Sequence, residues 1–245
     1  MEFTESSLAL NEDLDLTMYA DANALVSATV MEALEIIWIH LAEKGSCHIA
    51  LTGGTLGGQF AEALVEKLNT SAKDLKGLHI WFSDERFDTA DSPLRNSGPV
   101  RTGLTNTSVL VHEVKSTNDG VDVIEAAASY EAELSAITMD ICVLGLGPDG
   151  HVASLFPNHW DSKKETSFTA KAIPITDSPK PPLQRVSFSM DFINKSDQVW
   201  IIATGEAKAP AVTQILEADP SIPAGHVMAA QLTRLIVDAE AFFAE

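Results

Sequence analysis

Three times along this chain a short apolar run ends in glycine: "CHIALTGG" at 47–54, "MDICVLGLG" at 139–147 and "QVWIIATG" at 198–205. Apolar runs of this length, bounded by glycine, read as buried strands. The segments between them have helical character. Val26, Val30, Leu34, Ile37 and Leu41 recur at helical spacing within 22–44, and Gly45 supplies a stop. Residues 56–69, 121–136 and 206–217 have the same character, and "LHIWFSDERF" (78–87) reads as one further strand with charges at its C-terminal end. Strand, loop and helix in alternation predict a parallel sheet covered by helices. Two features depart from this pattern. "AKAIPI" and "RVSFSM", either side of the proline-rich "DSPKPPLQR" (177–185), predict a small antiparallel pair, and "RLIVDAEA" (234–241) a last strand and turn. There is no internal repeat and no low-complexity linker, so one domain over 1–245 is expected.

Composition narrows the partners. The 245 residues include 35 Asp+Glu against 16 Lys+Arg, a formal charge of −19. Such a surface repels nucleic acid and anionic membrane. It also repels an anionic substrate, so any phosphate site has to be locally basic. Cys47 and Cys142 both lie in apolar runs and read as small buried hydrophobes of a reducing compartment. The acidic N-terminus lacks the pattern of a signal peptide, and no apolar run is expected to span a bilayer. No cysteine spacing suggests a zinc or iron–sulfur site, and the expectation is a soluble cytoplasmic protein acting as a monomer.

Ligands of open α/β sheets bind beyond the C-terminal strand ends. Four loops there carry unusual chemistry: "TGGTLGG", "SDERF", "GPDGHVASLFP" and "TGEAK". In the first, Gly53 and Gly54 free backbone amides for an anion at a helix start, and Thr55 adds a hydroxyl; a tight turn is the competing explanation. The second presents Asp84, Glu85 and Arg86. Glu85 fits an ion-pair network, whereas Arg86 can clasp a phosphate. The fourth contributes Lys208, a solvated lysine unless a second cation converges on the same anion.

In the third loop Gly145, Gly147 and Gly150 spell the dinucleotide fingerprint G-x-G-x-x-G. Pro148 inside the turn and Pro157 after it leave little room for the crossover helix that fingerprint needs. The glycines instead aim Asp149 and His151 into a cleft. A neutral imidazole takes a proton from water near neutral pH, which makes His151 a candidate general base. Asp149 either orients the imidazole or shapes the turn, with shaping favoured. Ser154 has no G-x-S-x-G elbow, and His40, His48, His79, His112, His159 and His226 receive no role.

Taken together, "LTGGT", "WFSDERF", "RNSG", "VLGLGPDGHVASLFP", "SPKPPLQRVSFS", "TGEAKA" and "LIVDAEA" resemble, in order, the 6-phosphogluconolactonase family, sister to the glucosamine-6-phosphate isomerases/deaminases. "ASLFP" after His151 favours the lactonase branch; the deaminase branch typically has Ala-Phe-Asn-Glu-Pro. The resemblance implies a modified Rossmann-like α/β fold, with a mostly parallel sheet flanked by helices and a small antiparallel excursion. It implies hydrolysis of 6-phospho-D-glucono-1,5-lactone, in the oxidative pentose phosphate pathway, without cofactor or metal. By motif it makes His151 the general base. Gly53, Gly54, Thr55, Arg86 and Lys208 become phosphate-site candidates, and Asn96 and Arg185 cleft positions, with Lys180 a weaker one. Asp84 and Gly147 complete the candidate substrate-binding set. The family's first loop usually reads Gly-Gly-Ser/Thr-Thr/Ser-Pro; "GGTLGG" departs from it and leaves the role of Thr55 open. A deaminase-like enzyme and a non-catalytic sugar-phosphate binder are the alternatives.

Overall fold

The computed structural model describes residues 14–157 and 170–243. The acidic stretch 1–13, the Ser/Thr/Lys-rich residues 158–169 with His159, and residues 244–245 lie outside the described residues.

Strands β1 (Leu14–Tyr19), β2 (Cys47–Leu51), β3 (Leu78–Phe82), β5 (Leu110–Val111), β6 (Ile141–Gly145), β9 (Gln198–Ala203) and β10 (Leu232–Asp238) form one sheet in the order β1-β10-β9-β6-β2-β3-β5. Every pairing within it is parallel. The central strands are apolar on both faces because both faces are covered. Ile49 and Leu51, Ile141 and Val143, and Trp200 and Ile202 face one core cluster; Ala50, Cys142, Leu144, Val199 and Ile201 face the other. This is the period-two signature of a strand without a solvent side.

Helix α1 (Ala22–Lys44) starts where the Asp21 carboxylate accepts the Ala24 amide and stops at Gly45, whose φ of 74° only glycine adopts readily. By length and composition it is apolar enough to cross a membrane, which corrects the expectation from sequence. Its Leu25, Val30, Ala33, Leu34 and Ile37 are instead buried in the core cluster under β2, β3 and α2 (Gly54–Thr70). Helix α3 (Gly98–Gly103) lies beside α2, and α4 (Val123–Leu134) covers the opposite face.

The segment expected as one strand over 78–87 divides at Ser83. The Ser83 amide and hydroxyl both donate to the Leu51 carbonyl, and its own carbonyl accepts from Phe188. The chain therefore leaves the parallel sheet and enters a second one. There β4 (Asp84–Arg86) pairs antiparallel with β8 (Arg185–Phe188), and β8 with β7 (Ala172–Ile175). The antiparallel pair expected from sequence is present with one more strand. Strands β1 and β5, helix α3 and the short helix Met190–Asn194 had no sequence expectation.

Crossovers after β2 and after β6 run to opposite sides, since β3 and β9 flank them on opposite sides. The crevice of an open sheet lies at such a reversal, beyond the strand ends. At the other end of these strands Asp140 ties three elements together. Its carboxylate accepts the His48 amide at 2.7 Å and the Lys44 ammonium at 3.0 Å, and His40 Nδ1 lies 2.8 Å away. Replacing Asp140 with alanine leaves the amide without an acceptor in a nearly closed site. We expect a loss of about 2 kcal/mol in urea unfolding, with the folded-state spectrum unchanged.

Candidate active site

The loops after β2, β3, β6 and β9 meet over the reversal point, and the β8 strand with its preceding loop closes the cleft from above. Of the residues singled out from sequence, Gly53, Gly54, Asp84, Arg86, Gly147, His151, Arg185 and Lys208 line it, and so does Lys180. Thr55 sits on the exposed first turn of α2 and is not part of the wall. Asn96 stands one layer behind. Its amide donates to the Asp84 carbonyl and carboxylate at 2.8 and 2.9 Å, and a Cβ on Gly53 would fall 1.8 Å from its Oδ1. Only a glycine at 53 lets the loop lie on Asn96.

The two glycine loops are stitched together: the Gly145 amide donates to the Thr52 hydroxyl at 3.2 Å. Thr52 had gone unnoticed in the sequence because its partner lies 93 residues away. From Gly53 the chain enters α2 with no side-chain cap and no acidic residue in the first turn. The amides of that turn are the orphan donors of a helix start, an environment that favours an anion.

The loop after β6 is a tight turn. The Gly150 amide donates to the Gly147 carbonyl and the Gly147 amide to the His151 carbonyl, and no helix follows within 147–157. The fingerprint glycines serve this turn. A Cβ on Gly147 would come within 1.9 Å of His151 Nδ1 and 2.5 Å of Asp149 Oδ1, so glycine gives room to that pair. Asp149 Oδ1 hydrogen-bonds His151 Nδ1 directly, so Asp149 contacts the imidazole as well as belonging to the turn. The bond occupies Nδ1 and leaves Nε2 as the free nitrogen. The ring leans on Phe156, with centroids 4.6 Å apart. Burial pushes the His151 pKa below its ordinary value, against the pull of Asp149; Lys180 pushes it the same way as burial. Burial by itself raises the Asp149 carboxyl, but the His151 hydrogen bond and charge outweigh it and hold it low.

The remaining polar groups divide into anchors and free charges. Glu85 is fully buried and accepts the amides of Arg86, Asn96 and Ser97 with Arg95 nearby, which makes it an anchor for the β4 turn. Ser154 is equally buried and donates to Asp84 Oδ2 at 2.7 Å. Arg185 is held by the carbonyls of Pro182 and Lys180 and lies 3.9 Å from Asp84. Arg86 donates through Nη1 to the Leu94 carbonyl, while its buried Nε has no partner among the described residues. Lys208 donates to the Leu146 carbonyl at 2.7 Å, and burial, with the charge of Lys180, lowers its pKa. Both cations rest on neutral carbonyls instead of carboxylates, so their charge remains available to an anion.

Residues 20–237 match the family model of glucosamine-6-phosphate isomerases/6-phosphogluconolactonase. The chain belongs to this family. Among its relatives, a 6-phosphogluconolactonase of Streptomyces coelicolor is 33% identical over 231 residues, covering 88% of this chain and 87% of that protein. One of Mycobacterium tuberculosis is 32% identical over 244 residues, covering 92% and 96%. The crystal structure of 6-phosphogluconolactonase from Thermotoga maritima, 25% identical, superposes with a TM-score of 0.78 over 92% of this chain and 99% of that one. The modified Rossmann-like α/β architecture expected from the family resemblance is therefore the observed one.

The unpartnered Arg86 Nε yields a test of the anion site. Titrating inorganic phosphate calorimetrically should show binding, and Arg86→Met should weaken it roughly tenfold, a charge-assisted contact being lost. Equal affinity in both proteins would remove Arg86 from the site.

Proposed function

We propose that this chain hydrolyses 6-phospho-D-glucono-1,5-lactone to 6-phosphogluconate, with His151 as general base. The observation that carries the reading is the His151 imidazole, bonded to Asp149 and lining a cleft whose other charged residues are mostly cationic. Family membership and the lactonase names of the relatives support the reaction.

The phosphate of the substrate sits at the start of α2, between the amides of the first turn, Arg86 and Lys208. That anchorage sets the lactone carbonyl beside the imidazole and turns remote binding energy into positioning. His151 Nε2 takes a proton from water as the water oxygen bonds to C1. The carbonyl electron pair moves onto oxygen and returns when the C1–ring oxygen bond breaks. The imidazolium then gives its proton to the departing ring oxygen, and the free acid ionises. Asp149 holds the ring so that Nε2 stays unprotonated before reaction and supports the charge that forms on it. Asp84, fixed by Asn96 and Ser154, fits a sugar hydroxyl as an acceptor. The free cysteines Cys47 and Cys142, both buried, suit a reducing compartment.

Removing the base should lower kcat by roughly 10²–10⁴-fold. Lactone disappearance by NMR, corrected for spontaneous hydrolysis, should show this for His151→Gln in a protein of unchanged melting temperature. Wild-type turnover in that variant would end the base assignment. Ammonia release from glucosamine 6-phosphate would instead place the chain in the isomerase branch.

The pH dependence has a definite sign. The base works when neutral, so kcat/KM falls as pH drops through the His151 pKa. Burial places that limb below about 6.5, the ordinary imidazole value. Asp149 raises this pKa, so Asp149→Asn should move the limb to still lower pH while reducing kcat. A limb shifted upward would contradict the pairing.

A further inference from the structure

Lys180 stands apart from the other cations of the cleft. Its backbone is pinned: the Lys180 carbonyl accepts from Ser178 Oγ and from Arg185 Nη2, each at 2.9 Å. Its side chain is half exposed. The ammonium lies 3.8 Å from Asp149 Oδ1, too far for a hydrogen bond, and none of its donors is hydrogen-bonded among the described residues. The same Oδ1 is bonded to His151 Nδ1. One carboxylate oxygen thus faces two cation-capable groups, and Lys180 also meets the charge of Lys208 across the cleft.

We propose that Lys180 is a transferable anion ligand: it leans on Asp149 while the cleft is empty and passes to the C1 oxygen when the sugar phosphate binds, leaving Asp149 Oδ1 to the imidazole alone. The inference rests on the reading that C1 lies beside His151, and it adds a function for the ammonium that the reaction above does not contain. The base then strengthens as negative charge develops on that oxygen. In the empty cleft the cation next to Asp149 disfavours imidazolium. Once that cation is neutralised on an anionic oxygen, protonation becomes easier at the moment it is required. The oxygen addressed is the one that carries negative charge in the tetrahedral intermediate and again in the product carboxylate. The charged groups facing His151 are Asp149 on its own loop, Lys180 from the loop before β8 and Asp84 from β4. Of these only Lys180 has a side chain free to move, since Asp84 is fixed by Asn96 and Ser154.

The test is an NMR titration of the His151 ring, its resonance assigned by its absence in His151→Gln. Lys180→Met should raise the His151 midpoint in the empty protein by roughly half a pH unit, because a like charge is removed. Saturating 6-phosphogluconate should raise the wild-type midpoint more than that of the variant, and Lys180→Arg should restore the wild-type response. Inorganic phosphate, which lacks a C1 oxygen, should move both proteins equally. An unmoved midpoint in empty Lys180→Met overturns the inference, and so does a wild-type excess seen with phosphate alone. The titration needs no turnover. A protein that shows the expected shifts yet leaves the lactone intact sustains the Lys180 inference and sinks only the hydrolytic reading.

Discussion

The reversal of strand order between β2 and β6 is the constraint on which the rest depends. Their crossovers diverge, so no helix covers the crevice at their C-terminal ends, and two glycine loops from distant parts of the chain lie side by side there. The hydrogen bond from the Gly145 amide to the Thr52 hydroxyl joins them. Their glycines make room for polar neighbours. Gly53 lies on Asn96, and Gly147 makes space for the imidazole and its carboxylate. A side chain at 53 would push Asn96 aside, and one at 147 the imidazole and its carboxylate, before altering the sheet.

The second determinant is electrostatic. A chain of net charge −19 draws four basic side chains into one cleft with a single acid among the lining residues. Two of those cations, Arg86 and Lys208, form no salt bridge among the described residues. Arg86 and Lys208 are held by main-chain carbonyls, which fix direction without cancelling charge. Arg185 lies close to Asp84 and over the Phe156 ring, and Lys180 lies close to Asp149. Burial of unneutralised cations is unfavourable in the empty protein, and a bound dianion relieves it. Positive charge at the cleft also gives direction to an anionic ligand that the remaining surface repels.

Much of this is legible in the sequence. Helix α1 was bounded by its apolar spacing and Gly45, and the strands at 47, 141 and 198 by runs ending in glycine. The loops that meet at the cleft were picked out by their composition. What escaped detection depends on partners remote in sequence. Strand β1 is an edge strand with exposed Leu16 and Met18, so its pattern lacks the apolar run of a central strand. The break at Ser83 follows from carbonyls of β2 and an amide of β8, which no local pattern announces. Asn96 was chosen as a substrate contact but stands behind Asp84, and Ser154, dismissed as a nucleophile, turns out to orient that same carboxylate. Asp149 is open to both roles from sequence, and the contact with the ring depends on the left-handed backbone at Gly150 and the space above Gly147.

The central claim is that phosphate and ester carbon occupy opposite ends of one cleft, the first at the start of α2 and the second at the imidazole. A crystal structure with 6-phosphogluconate bound measures this directly. The account predicts phosphate oxygens on the amides of the first α2 turn and on Arg86 and Lys208, with the C1 carboxylate in contact with His151. A ligand bound in the reverse sense, or outside the loops after β2 and β6, would contradict it.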